Sequence, residues 1–70
     1  MLIQVDYVIV GGFYYILETI GNGTPVIADR IKLEVEERQV QKLCQNRLSL
    51  LKKVLEKDPT YSVSETVDLI

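Results

Sequence analysis

The chain has 70 residues, 47% hydrophobic and 26% charged, and a net charge of −2; this is the composition of one small globular domain, without the signature of disorder or low complexity. With no histidine and a single cysteine, Cys44, an intrachain disulfide and a Cys/His zinc site within one chain are excluded. The commonest general base and any Cys–His or Ser–His nucleophile are missing too, so no enzyme, no cofactor and no metal is expected.

Residues 2–10 (LIQVDYVIV) are rich in β-branched and aromatic side chains. Ile3, Val5, Tyr7 and Ile9 form a wholly hydrophobic alternate row, and the polar groups Gln4 and Asp6 fall on the other, which is the pattern of a half-buried strand. Gly11-Gly12 follows, and both glycines can take the positive φ that a two-residue type I′ turn demands. Residues 13–20 (FYYILETI) read as the second strand of a hairpin. Gly21-Asn22-Gly23 signals another turn, with Asn22-Gly23 as its central pair. The most apolar stretch, Tyr7 to Leu17, is about half the length a membrane helix needs, so no membrane partner is expected.

Residues 25–35 admit two readings. Thr24-Pro25 has the form of a helix start, with Thr24 as cap and Pro25 at the first helical position. Ile31, Leu33 and Val35 nevertheless alternate with Lys32, Glu34 and Glu36, which favours a third strand over 26–35, bent near Asp29. From Glu36 the period changes. Val40, Leu43, Cys44, Leu48, Leu50, Leu51, Val54 and Leu55 fall within an arc of about 160° on a helix spanning 37–57. Glu36 and Glu37 at its start and Lys52, Lys53 and Lys57 near its end complement the helix dipole, and Asp58-Pro59 stops it. The tail 60–70 alternates like a strand, yet Ser62-x-x-Glu65 is a capping box that would open a short helix.

Together these elements predict an α+β domain: a three- or four-stranded antiparallel β-meander with one long helix packed on one face, in the order βββα(β). A folded chain of about this size buries only about 60% of the surface its unfolded form exposes. One helix cannot cover both faces of the sheet. The second face keeps Leu2, Val8 and Val10 with one row of the second strand, either Phe13, Tyr15 and Leu17 or Tyr14, Ile16 and Ile20. Open strand edges add to the invitation, so a homo-oligomer is expected, most simply a symmetric dimer.

Charge is segregated along the chain: −3 over residues 1–29, +4 over 30–57 and −3 over 58–70. Arg38, Lys42, Lys52, Lys53 and Lys57 give the helix an outward basic face that could contact anions, nucleic acid included; an ordinary solvated face is the simpler reading. Arg47 is the unusual residue, because it projects near the middle of the apolar arc. Either its stem packs and its head reaches water, or it pairs with a carboxylate, Asp6 or Glu18 of the same chain or one from a second subunit. Asp6, Glu18, Asp29 and Glu34 read as solvated strand charges, and Cys44 as a small buried hydrophobe. The expected contact residues are Arg47, Tyr14 and Tyr15, since tyrosine is enriched at interfaces. No basic N-terminal region precedes Arg30, so the expected location is the cytoplasm. The expected role is a small protein-interaction module (regulator, inhibitor, adaptor or accessory subunit) that meets itself and another protein; the alternative is a nucleic-acid-binding regulator using the basic helix face of a dimer.

Overall fold

The computed structural model describes residues 2–62. It contains β1 (Ile3–Val10), β2 (Phe13–Ile20), β3 (Val26–Lys32) and α1 (Glu37–Lys57). The three strands form one antiparallel sheet in the order β1-β2-β3, so the fold is the α+β arrangement βββα, with β2 central. The expected tail element, strand or short helix, falls on residues beyond Ser62 that lie outside the described ones. Among the described residues no helix is long and apolar enough to cross a membrane.

The first hairpin closes on Gly11 (φ 57°) and Gly12 (φ 83°), both left-handed, as a type I′ turn requires. That turn pairs Val10 with Phe13 and runs in register to Ile3 opposite Ile20. The second turn differs from expectation. Gly21 (φ 60°) takes the left-handed position and Gly23 does not. The reason is that β1 and β2 stay zipped to their ends: Gly21 N–H donates to Leu2 C=O at 2.6 Å, and the chain must reverse immediately after it.

β3 ends at Lys32 rather than Val35. Leu33 still donates to Gly12 C=O at 3.1 Å, but Val35 N–H turns back to Lys32 C=O, also at 3.1 Å. The period-two pattern breaks here because the chain has to leave the sheet and reach the helix layer; Val35 packs against the core on the way. The expected bend near Asp29 is a bulge. Ile16 pairs with Asp29 and Leu17 with Ile27, which leaves Ala28 as the extra residue.

α1 covers one face and lies closest to β1. Tyr14 and Ile16 of β2 pack against Val40 and Cys44 on its inner side, with Val5, Tyr7, Ile31, Val35 and Leu43 around them. Ile16 and Val40 lose essentially all contact with water, each burial contributing about 1.5–3 kcal/mol. The helix ends where Asp58 N–H bonds Val54 C=O at 2.8 Å and Asp58 Oδ1 accepts from Thr60. Leu50 departs from the expected arc: it is 62% exposed while neighbouring Leu51 is buried. It sits on the margin of the arc, on the flank opposite the one that Gln41, Gln45 and Leu48 turn toward β1.

Candidate functional site

The pleat separates two rows on β2. Because the Gly-Gly turn sets Ile9 opposite Tyr14, Tyr14 points under the helix, and Phe13, Tyr15 and Leu17 point to the bare face, the one that no other described element covers. Tyr14 is therefore a core residue, stacked edge-on against Tyr7 with ring centroids 5.7 Å apart, and not an available contact residue. Tyr15 remains on the open side.

That open side gathers side chains from all three strands. Val8 lies beside Tyr15 and Val10 beside Phe13, while Leu17 neighbours Ile27 across the other pairing. Val8, Val10, Tyr15, Leu17 and Ile27 line a shallow depression of about 330 Å³. Val8 and Val10 are 42% and 59% exposed. The margins differ in charge. Asp6 stands on the β1 side, opposite Leu17; Arg30 and Lys32 stand on β3, opposite Tyr15 and Phe13. The Arg30 guanidinium lies over the Phe13 ring at 4.8 Å, and Phe13 and Tyr15 tilt toward each other at 6.3 Å. The aromatics are legible in the sequence and their basic neighbours are not, because only the β2–β3 register brings those together.

The covered face holds a second constellation. Arg47 leaves α1 toward β2 and β3, where Nη1 donates to Glu18 Oε2 at 3.2 Å and Nη2 to Asp29 Oδ2 at 3.5 Å. Glu18 is almost wholly buried, its side chain only 7% exposed; those of Arg47 and Asp29 keep 29% and 43%. Of the two intrachain partners expected for Arg47, Glu18 is the one it meets. Asp6 lies on the other face. Asp29 joins because the bulge leaves it on the helix side, opposite Ile16. Glu18 and Asp29 are thus not simple solvated charges; their negative charge is met by Arg47. Arg47 Nε is buried and finds no acceptor among the described residues. Glu34 lies exposed in the turn between β3 and α1, so the four carboxylates do not converge on one site.

Two other groups are tuned by their surroundings. Tyr7 Oη donates to Glu37 Oε1 and accepts from Gln41 Nε2 at 3.4 Å. Holding its proton on a carboxylate raises the phenol above its ordinary pKa. Burial pushes the Cys44 thiol up as well, with the Asp6 charge adding to the effect, so it has the character of a core side chain and not of an activated nucleophile.

Arg38, Lys42, Lys52, Lys53 and Lys57 are all exposed on α1, and Arg38 pairs with Glu36 at 2.7 Å. Comparisons with protein-family models, with curated proteins and with solved structures return no match.

Proposed function

We propose that this chain is a small non-enzymatic interaction module, a regulator, inhibitor, adaptor or accessory subunit, that works in the cytoplasm as a homo-oligomer. The observation that carries this reading is the bare sheet face: Val8, Val10, Phe13, Tyr15, Leu17 and Ile27 gather on the side that α1 leaves open. Apolar surface concentrated on one side and rimmed by charge is what contact surfaces have and solvated faces lack. The test combines two measurements. Purified chain in a sedimentation series should rise above 8.0 kDa as concentration increases. Capture of a defined protein from native lysate should be lost when the bait carries Val10→Lys. A chain that stays at 8.0 kDa and captures nothing overturns the proposal.

One observation favours a second reading. Arg30 and Lys32 flank Phe13 and Tyr15 on the same open face, which is the combination of aromatic platform and cation that single-stranded nucleic acid uses. Titration with single-stranded and duplex oligonucleotides at two salt concentrations separates the readings. Arg30→Glu should abolish binding to the sheet face, and Lys52→Glu with Lys53→Glu should abolish binding to the helix face. No binding at low salt removes both.

A further inference from the structure

The two edges of the sheet are not alike. β3 is guarded: Pro25 precedes it, Ala28 bulges within it, and Asp29, Arg30 and Lys32 charge it. Bulges, charges and prolines are the devices that keep an edge from pairing. Tyr61 and Ser62 also lie on that side, beside Gly23, Thr24 and Val26. β1 has none of these features. It runs eight residues in unbroken register with β2, and Asp6 is its one charge.

The hairpin fixes which backbone groups of β1 are open. In a two-residue turn the flanking pair, here Val10 and Phe13, exchanges hydrogen bonds, and such pairs then recur at every second residue. Gly21 N–H on Leu2 C=O confirms that the even residues of β1 bond inward. Ile3, Val5, Tyr7 and Ile9 therefore turn their N–H and C=O groups outward, where no described strand meets them.

The seam between that edge and α1 has a shape. Val5, Tyr7, Cys44 and Leu48, together with the polar Asp6, Gln41 and Gln45, line a groove of about 210 Å³ along it. Ile9, in the same row of β1, stands 53% exposed. The edge thus carries both a groove and a side chain to fill one.

We infer that β1 pairs antiparallel with β1 of a second copy across a two-fold axis at Tyr7, joining two three-stranded sheets into one of six strands. This rests on the proposed self-association and assigns its surface. Symmetry and the pleat require odd residues to face odd residues. Centring on Asp6 would set two carboxylates directly opposite, which is destabilising. Centring on Tyr7 sets Tyr7 opposite its copy and Ile9 of each chain opposite Val5 of the other, where Ile9 enters the groove. Three pairs, each exchanging two backbone hydrogen bonds, follow from the outward groups at Val5, Tyr7 and Ile9. Both helices then lie on one face, and the bare face becomes continuous across both copies and free for a partner.

Ile9→Pro tests this, because it deletes an outward N–H and leaves the β1–β2 ladder intact. The expected result is a wild-type mass approaching twice 8.0 kDa, an Ile9→Pro mass that stays at 8.0 kDa with an unchanged circular dichroism spectrum, and a dimer that tolerates Val10→Lys on the bare face. In the wild type, amide exchange at Val5, Tyr7 and Ile9 should slow as concentration rises. A dimer that survives Ile9→Pro but is broken by Val10→Lys overturns the edge assignment and leaves self-association standing. A wild type that stays monomeric overturns both. Slow exchange at these amides at every concentration in a monomer overturns the pairing too, because the chain would then be covering its own edge.

Discussion

Removing Arg47 should unsettle the domain more than any other change of a charged side chain. Glu18 is almost wholly buried, and Arg47 Nη1, at 3.2 Å, is the cation that meets its charge. Breaking a buried ion pair from one side costs about 3–5 kcal/mol, because an uncompensated charge is left behind. Arg47 keeps 29% of its side-chain surface in water and Asp29 keeps 43%, so solvent relieves part of that cost and roughly 2–3 kcal/mol is expected for Arg47→Leu. A domain of this length has on the order of 4–10 kcal/mol in total. The melting temperature should fall by roughly 10–20 °C, at about 4–8 °C per kcal/mol. Glu18→Leu with Arg47→Leu should recover most of the loss, since replacing both members of a buried pair by apolar side chains is often neutral. Urea unfolding of wild type, both single variants and the double variant, followed by circular dichroism, gives the coupling directly. Additive losses, or an Arg47→Leu variant as stable as wild type, would refute the assignment of Glu18 as a buried charge held by Arg47.

Leu50 and Leu51 offer a contrast on one turn of helix: Leu51→Ala should cost about 2–3 kcal/mol and Leu50→Ala less than about 0.5, read from urea midpoints, and equal losses would misplace the helix face. At the hairpin, Gly11→Asn should be nearly neutral, while Gly12→Val should cost about 1–2 kcal/mol or more, since asparagine tolerates left-handed backbone and valine does not. Tyr7 should ionise above the ordinary tyrosine value, as seen by subtracting the phenolate absorbance of Tyr7→Phe from that of wild type. Because the folded value is the higher one, this contribution to stability is complete below the unfolded pKa and is lost as pH climbs through the folded pKa. Tyr7 ionising at or below its ordinary value would show that Glu37 does not hold its proton.

Much of the architecture was legible because two periods and a few turn residues carry it. Alternation gave β1 and β2, Gly11-Gly12 fixed their register, and the apolar arc with Asp58-Pro59 gave α1 its bounds. The misses share a cause: each depends on contacts between elements. Which glycine of Gly21-Asn22-Gly23 goes left-handed is decided by Leu2, a residue some 20 positions away. The alternation of Ile31, Leu33 and Val35 continues in sequence past Lys32, yet the strand stops because the helix begins on another layer. Leu50 belongs to the arc by angle and falls outside the core because α1 sits nearest β1. Asp29 reaches Arg47 only through the bulge, and no pattern in a single strand announces that a carboxylate such as Glu18 is buried. The open face is half readable: the pleat separates Phe13, Tyr15 and Leu17 from Tyr14, Ile16 and Ile20 without saying which row turns away from the helix, and the basic margin formed by Arg30 and Lys32 depends on the β2–β3 pairing.

The proposed contact role requires the two sides of the sheet to be unequal in solution, one sealed by α1 and the other left open. Relaxation of methyl protons by a soluble paramagnetic chelate reads this directly in dilute sample. Methyls of Val8 and Val10 should broaden strongly while those of Ile16 and Val40 stay sharp. Val8 and Val10 methyls shielded as well as those of Ile16 would mean that the chain already covers this face itself, and the surface proposed for contact would not exist.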